Sequence, residues 1–184
     1  MADMTPVIGL ARASRRRHHT DVAENAKEAT VTSYVGFKIV HVLGVVLFMG
    51  NIVVTGFWKA IADRGREPHV VAFAQHLVTL TDWLFTFGGL VLILIGGYGM
   101  AAVGHLDLQQ KWLAWGQGLL AASGVIWVVV LVPTQIAQAK LARSFAQGGA
   151  IPERYWQLNR RWVLFGIVAT ALPLANLYFM IAKP

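Results

Sequence analysis

A histidine and an asparagine, His41 and Asn51, interrupt the apolar stretch KIVHVLGVVLFMGNIVVTGFWK. His41 can act as a ligand, because a neutral imidazole binds heme iron or copper. It can equally donate a hydrogen bond to a neighbouring helix and fix packing there. The residues alone leave both interpretations open. Gly44 lies about one turn further on the same helical face and, in the ligand interpretation, leaves room for a flat ring.

Heme suits the chain better than copper. A copper site without cysteine needs further histidine or methionine nearby, and Met49 and Met180 are scattered. An apolar, aromatic pocket favours heme b, and the lack of any cysteine excludes covalently attached c-type heme. His105 follows the second apolar segment and can approach His41 if the two helices run in opposite directions. The candidate cofactor-binding residues are Lys38, His41, Gly44, Phe48, His105 and Asn176, with His41 and His105 as metal ligands.

Asp82, in the segment LTDWLFTFGG, is the other side chain with evident chemical potential. It can cap the second span or pair with Arg160 or Arg161, since carboxylates favour the beginnings of helices. A role in proton relay is the alternative, because ionisable groups at membrane depth are usually functional. The other polar residues expected to be buried, together with this aspartate, are Asn51, Asp82, Thr86 and Asn159.

Four apolar segments must position these side chains. About 20 apolar residues cross the roughly 30 Å hydrocarbon core of a bilayer, and such segments cover residues 34–58, 83–103, 112–133 and 162–182. Unpaired backbone groups are not tolerated in lipid, so each segment is predicted to be a helix. The predicted fold class is all-α, a four-helix transmembrane bundle with antiparallel up-down topology. Six of the seven tryptophans lie at or near the segment ends, as in an aromatic belt.

The composition agrees with a membrane protein. Hydrophobic residues make up 56% of the 184 residues and charged residues 14%, against about 25% charged in soluble proteins. The formal charge of +7 would suggest nucleic acid for a soluble chain. Here the basic residues lie between apolar segments, which favours anionic lipid head groups as their partner and predicts no nucleic-acid binding.

Small residues on the inward stripes allow the helices to approach closely. In the fourth span, Pro173 is predicted to kink the helix and to free the carbonyl of Ala169, because proline has no backbone N–H. The third span is the least polar. Its best inward stripe consists of Gly116, Leu119, Ser123, Trp127, Val130 and Thr134.

The segments outside the spans fall into a tail and two long connections. Residues 1–33 contain no long apolar run and are predicted to form a mobile basic tail ahead of the transmembrane domain, residues 34–184. The second helix is predicted to begin near Glu67, and the third to continue past its proline and break at the glycine pair 148–149. Basic residues concentrate in these two connections, so the positive-inside rule places them in the cytoplasm and both termini in the periplasm.

The motifs Lys38-x-x-His41, HVLGVVLFMG, TDWLFTFGG, WVVVLVPTQ and a terminal MIAKP resemble an uncharacterised bacterial family of predicted integral membrane proteins, over most of residues 34–184. More distantly, the chain is similar to the HemJ-type protoporphyrinogen IX oxidases, four-helix proteins thought to hold heme b. That similarity covers Lys38, His41, the glycine near Gly50, Thr86 with Gly88, Trp112-Leu113, Asn159 and Lys183-Pro184. It implies that His41 occupies the position of the heme-ligating histidine. The chain differs at Gly116, where that family has a lysine, and at Ile126-Trp127, where it has a further histidine.

These observations predict a heme-b-binding protein of the bacterial inner membrane with a redox or heme-handling role, and they leave open whether it is an enzyme. Two alternatives stand beside this one. The first is a non-enzymatic accessory subunit that packs against a larger membrane complex. The second is transport of a small solute or of copper. The lipid bilayer is the expected partner, and a homo-oligomer or a larger complex is open.

Overall fold

Long helices make up almost all of the fold. The structure, a computed structural model, describes the backbone of residues 5–184 and the side chains of residues 24, 25 and 27–184. The helices are α1 (Thr5–Gly65), α2 (Pro68–Thr81), α3 (Gly88–Val103), α4 (Lys111–Ile126), α5 (Val132–Phe145) and α6 (Glu153–Ala182). Two π-helical segments, π1 (Asp82–Phe87) and π2 (Trp127–Leu131), join α2 to α3 and α4 to α5.

Within residues 5–184, four helical stretches are long and apolar enough to cross a membrane, which confirms the predicted all-α fold with four spans. They are Lys27–Gly65, Pro68–Val103, Lys111–Phe145 and Glu153–Ala182. Each is longer than its predicted span, because the sequence pattern marks only the apolar part of a helix. With a rise of about 1.5 Å per residue, α6 with its 30 residues is about 45 Å long, so it extends beyond a hydrocarbon core of roughly 30 Å. The up-down order of the whole bundle stays a prediction.

The first helix differs from the sequence prediction at its beginning. It begins at Thr5, so the backbone from residue 5 to residue 33 is helical and continuous with the first span. The predicted boundary near residue 34 is therefore not the end of an element. The mobility of this segment stays a prediction, and residues 1–4 lie outside the described part of the chain.

The helices α1 and α3 pack along each other through glycines. A Cβ added to Gly96 would lie 2.7 Å from the Cα of His41, and one added to Gly89 would lie 2.8 Å from the backbone nitrogen of Phe48. The partner positions on α3 descend as those on α1 ascend, so these two helices run in opposite directions. Glycine is needed at such contacts, because any side chain would separate the two backbones.

The helices α4 and α6 form the second closely packed pair in the membrane-spanning part. Pro173 lies inside α6, and its missing N–H leaves the carbonyl of Ala169 without its helical donor. The hydroxyl of Ser123, on α4, donates to this carbonyl at 2.7 Å. The prediction that the Ala169 carbonyl is released is thus confirmed, and the freed acceptor links the two helices. The kink itself stays a prediction.

The two pairs meet mainly at one end of the bundle, called here the loop end, which carries the connections 66–67 and 146–152. The helices α2 and α5 and the beginning of α6 pack there around a small apolar core. This core consists of Val71, Ala72, Ala142, Phe145 and Tyr155. The predicted break after the third helix is confirmed, since Gly148 and Gly149 have φ angles of 103° and 111°, which glycine adopts without strain.

Candidate functional site

Three of the predicted buried polar residues come together between α1 and π1. The side-chain amide of Asn51 donates to Asp82 Oδ1 and to Thr86 Oγ1, each at 2.9 Å. The hydroxyl of Thr86 donates to the same carboxylate oxygen at 3.1 Å. Gln135, on α5, donates to Asp82 Oδ2 at 3.0 Å. The carboxylate is therefore held from three helical elements, and Gln135 is a member that the sequence did not predict.

No basic side chain bonds to this carboxylate among the described residues. The predicted partners, Arg160 and Arg161, do not fill that role, because both are exposed and Arg160 pairs with Glu153 at 2.8 Å. Asp82 is only 9% exposed. An ionised carboxylate in this position is held by neutral donors alone, which is rare at membrane depth and marks a candidate functional site.

Both π-helical segments lie at the level of Asp82. Asp82 is the first residue of π1 and Trp127 the first of π2. Wide turns of this kind are uncommon and often occur at functional sites. For π2 a local cause is present, because Pro133 follows it and cannot donate to the carbonyl of Val129 four residues earlier. The widened turns aim the side chains of the two segments differently from those of a regular helix.

A cavity of about 470 Å³ lies beside this carboxylate, between the two helix pairs. We call it the Asp82 cleft. All four spans contribute to its wall, which is mostly apolar; among its lining residues are Phe48, Thr55, Asp82, Thr86, Ser123, Trp127 and Trp162. Three further lining residues are largely exposed on the outer surface: Val53 (59%), Val163 (42%) and Ile167 (65%). The cleft is therefore open at the side that these exposed apolar residues form.

Glycines on the cleft wall differ from those between α1 and α3. Gly56, Gly124 and Gly166 line the cleft, and a Cβ added to any of them would meet nothing within 4 Å. Helix packing does not require glycine at these three positions. Each costs a helix roughly 0.5–1 kcal/mol relative to alanine, and each leaves free space on the cleft side.

His41 lies on the interface between α1 and α3, outside the cleft lining. Its Nδ1 is 2.8 Å from the carbonyl oxygen of Ile93, and its ring is close to Gly97. A hydrogen bond from Nδ1–H to this carbonyl leaves Nε2 with a free lone pair. The room expected beside Gly44 is not there, because the backbone of α3 at Gly89 and Ile93 fills that space within 2.8 Å of an added Cβ.

The other predicted cofactor residues are dispersed. His105 is exposed on the connection between α3 and α4 with φ 50°. Its neighbour Gly104 faces Tyr34, which is seven residues from His41 on α1, or about 10 Å along the axis. The two histidines are thus not level with each other. Lys38 is exposed, Phe48 belongs to the cleft wall, and Asn176 packs beside Gly116 with its Oδ1 buried and unpaired.

A second polar cluster lies at the loop end and was not predicted. Lys59 is 1% exposed, and its ammonium group contacts Asp63 Oδ2 and the Tyr155 hydroxyl, each at 2.9 Å. The Tyr155 hydroxyl in turn donates to Gln75 at 3.3 Å. The first span was predicted to end at residue 58, which leaves Lys59 outside it, whereas α1 continues past Lys59 to Gly65. The spacing of Lys59 and Asp63, four residues apart, is the one sequence signal that could have indicated that the helix continues and that the two side chains pair.

The remaining predicted polar residue, Asn159, also belongs to the loop end. Its Oδ1 accepts a hydrogen bond from Gln138 at 3.3 Å. No group of three or more histidine, aspartate or glutamate side chains with metal-site geometry occurs among the described residues. The predicted site residues therefore do not form one site: three cluster around Asp82, His41 lies between α1 and α3, Asn159 lies at the loop end, and the others are dispersed.

Comparison with models of protein families gives one match over most of the chain. Residues 33–184 match a family described as "Predicted integral membrane protein (DUF2269)". No match was found among curated proteins or among solved structures. The resemblance to a family of predicted integral membrane proteins is thus confirmed, and the similarity to HemJ-type oxidases stays a prediction.

Proposed function

The chain belongs to the DUF2269 family of predicted integral membrane proteins, and on this premise we propose that it binds a lipophilic small molecule inside the bilayer, in the Asp82 cleft. A cavity of about 470 Å³ is within the range of roughly 300–1,000 Å³ that small-molecule sites occupy. Its wall combines apolar side chains with a few polar groups, which is the usual composition of such a site.

The observation that carries this proposal is the buried carboxylate on the cleft wall. Burying a charge in an apolar environment is costly unless it is paired, and Asp82 has only Asn51, Thr86 and Gln135 as hydrogen-bonding partners. A purely structural role would be met equally well by an uncharged side chain. The three donors fix the carboxylate in one orientation, which favours binding because the group need not be ordered when a ligand arrives.

The open glycines support the same proposal. Gly56, Gly124 and Gly166 come from three different spans and surround the same cleft. Since no helix approaches them, the space beside them is available to a molecule other than the protein. The contrast with Gly44, whose space is filled by α3, separates glycines that serve packing from glycines that widen the cleft.

Filling the cleft tests the proposal. The change Gly166→Leu puts a side chain into the cleft, whereas Gly118→Leu adds the same side chain on an exposed surface of α4 that does not line it. Each protein is purified in a mild detergent, and native mass spectrometry and solvent extraction report retained small molecules. We expect a retained lipophilic molecule in the wild type and in Gly118→Leu, and its loss in Gly166→Leu. Equal retention in all three proteins, or none in any, would contradict the proposal.

A second candidate function is heme b binding through His41. The observation that favours it is the contact between His41 Nδ1 and the Ile93 carbonyl, because metal-bound histidines commonly use the second ring nitrogen in this way. The fit is incomplete: α3 occupies the space beside Gly44, and neither histidine nor methionine lines the Asp82 cleft. Any redox or heme-handling chemistry would come from the heme itself, with His41 only holding the iron.

The heme candidate has a direct optical test. Protein expressed with heme supplied is expected to show a Soret band that disappears in His41→Ala. His105→Ala is the matched control, because that imidazole is exposed and lies at a different level. A colourless wild-type protein, or an unchanged band in His41→Ala, would remove His41 as a ligand.

The location and the partners belong to the same proposal. The bacterial inner membrane, with the loop end in the cytoplasm and the termini in the periplasm, is supported by exposed basic residues near the loop end. These are Arg64, Arg66, Lys140, Arg143, Arg154, Arg160 and Arg161. Bilayer contact is supported by the four apolar spans. Association into a homo-oligomer or with a larger complex stays a proposal without a specific contact surface.

A further inference from the structure

We infer that the ligand of the Asp82 cleft is a lipophilic ammonium, a molecule with an apolar body and a protonated amine. This inference rests on the proposed function and names the chemical class for the same site. It follows from a count of the hydrogen-bond donors and acceptors that the cleft wall offers.

The hydroxyl groups of the cleft wall already donate hydrogen bonds to acceptors of the protein itself. Thr55 donates to the carbonyl of Asn51 at 2.6 Å, Ser123 to that of Ala169 at 2.7 Å, and Thr170 to that of Gly166 at 2.7 Å. Each hydroxyl carries one hydrogen and two lone pairs. These groups therefore present acceptors to the cleft and no donors.

The carboxylate adds a further acceptor. Asp82 Oδ1 accepts two hydrogen bonds, from Asn51 and Thr86, while Oδ2 accepts one, from Gln135. A carboxylate has about four acceptor positions, so one position stays available on Oδ2. A ligand that donates a hydrogen bond can use it, and a cationic donor also neutralises the buried charge.

An aromatic group on the wall also favours a cation. The rings of Phe87 and Trp127 line the cleft and stack with their centroids 6.4 Å apart. Aromatic faces attract ammonium groups, most strongly in the case of tryptophan. Among the described residues of the cleft wall, the indole N–H groups of Trp127 and Trp162 have no hydrogen-bond acceptor, and the Nε1 of Trp127 is buried.

The cleft wall does not favour an acidic ligand. A carboxylate or phosphate head would face the like charge of Asp82 and would find side-chain donors only in the two described indoles, Trp127 and Trp162. A neutral alcohol could donate to Oδ2 but would leave the charge uncompensated. An ammonium is the head group that both donates hydrogen bonds to the acceptors of the wall and neutralises the charge of Asp82.

Three probes with the same apolar body test the class of ligand. Naphthylmethylamine, naphthylmethanol and naphthoate are measured by equilibrium dialysis against the full chain in phosphatidylcholine nanodiscs, with empty nanodiscs subtracted. We expect the amine to bind at least about 10-fold more tightly than the alcohol, because a charge-assisted hydrogen bond contributes more than a neutral one. Naphthoate is expected to show no binding above empty nanodiscs.

Two variants locate the effect. In Asp82→Asn, which keeps the shape of the side chain, the affinity for the amine is expected to fall by roughly 10- to 100-fold. Asp107→Asn, which removes an exposed carboxylate from the connection between α3 and α4, is expected to bind like the wild type. If Asp82→Asn does not fold, the comparison of the three probes on the wild type decides the question.

The outcomes separate the inference from the proposed function. If amine and alcohol bind equally and both are lost in Gly166→Leu, the cleft binds lipophilic molecules and the ammonium inference is wrong. The same conclusion follows if naphthoate binds most tightly. If no probe binds and Gly166→Leu retains the same molecules as the wild type, both the inference and the proposed function fail.

Discussion

The hydrogen bond from Ser123 to the Ala169 carbonyl can be tested by a double-mutant cycle with Pro173. In the structure this bond is 2.7 Å long and buried, and it exists because Pro173 cannot donate to the carbonyl four residues before it. The change Ser123→Ala leaves this carbonyl without a partner. Interhelical hydrogen bonds in membrane proteins contribute on average about 0.6 and at most about 1.7 kcal/mol, so we expect a loss of roughly 1 kcal/mol in the free energy of unfolding.

The second mutation makes the prediction specific. In Pro173→Ala, the new backbone N–H can donate to Ala169 within α6, so the Ser123 hydroxyl becomes dispensable. Ser123→Ala in this background is expected to change the free energy of unfolding by less than about 0.5 kcal/mol. The coupling energy between the two positions is therefore expected to be close to the full effect of Ser123→Ala in the wild type.

Reversible unfolding by SDS in mixed micelles, followed by tryptophan fluorescence, measures all four proteins. Ser144→Ala is the matched control, because that exposed hydroxyl donates only to a carbonyl of its own helix, and it should stay within about 0.5 kcal/mol of the wild type. If Ser123→Ala costs the same with proline and with alanine at position 173, the two residues do not share the carbonyl, and the explanation of this contact is wrong.

Two further predictions concern packing and the loop end. Gly96→Ala forces a methyl group against the backbone of His41 and should lower the free energy of unfolding by about 1–3 kcal/mol. The control is Gly36→Ala, whose new methyl group meets nothing within 4 Å and which should be neutral or stabilising by up to about 1 kcal/mol. Equal effects of the two changes in SDS unfolding would contradict the close approach of α1 and α3. Tyr155→Phe removes a hydroxyl that contacts the buried Lys59 and should cost about 1–3 kcal/mol, and a melting temperature equal to that of the wild type would show that this contact does not matter for stability.

The sequence predicted features that follow from local covalent chemistry or from helical spacing. Pro173 released the Ala169 carbonyl, as its missing N–H requires. Asn51, Asp82 and Thr86 are buried, as expected, and they lie together. These predictions succeed because the missing N–H of a proline and the inward position of a polar side chain can each be predicted from one helix alone.

Features that depend on a distant partner or on irregular backbone were missed. On the third span, regular helical spacing predicted that Thr134 faces inward. The π2 segment widens one turn before it, and the next residue, Gln135, is the one that reaches Asp82. A glycine on an inward face is compatible with either a helix or a cofactor beside it, and the sequence alone did not indicate that α3 packs against Gly44. The first span was predicted to end at residue 58, just before Lys59, because apolar length does not mark the end of a helix that continues beyond the bilayer; α1 ends at Gly65.

In a bilayer, the exposed lining residues Val53, Val163 and Ile167 would bring acyl chains to the edge of the Asp82 cleft. A ligand of the proposed site would then partition into the membrane first and diffuse in two dimensions to the cleft. Its effective concentration is set by solubility in lipid and only indirectly by the aqueous amount, so dilute but oily compounds are favoured. Exchange of the occupant should accordingly respond to the fluidity and the thickness of the surrounding bilayer.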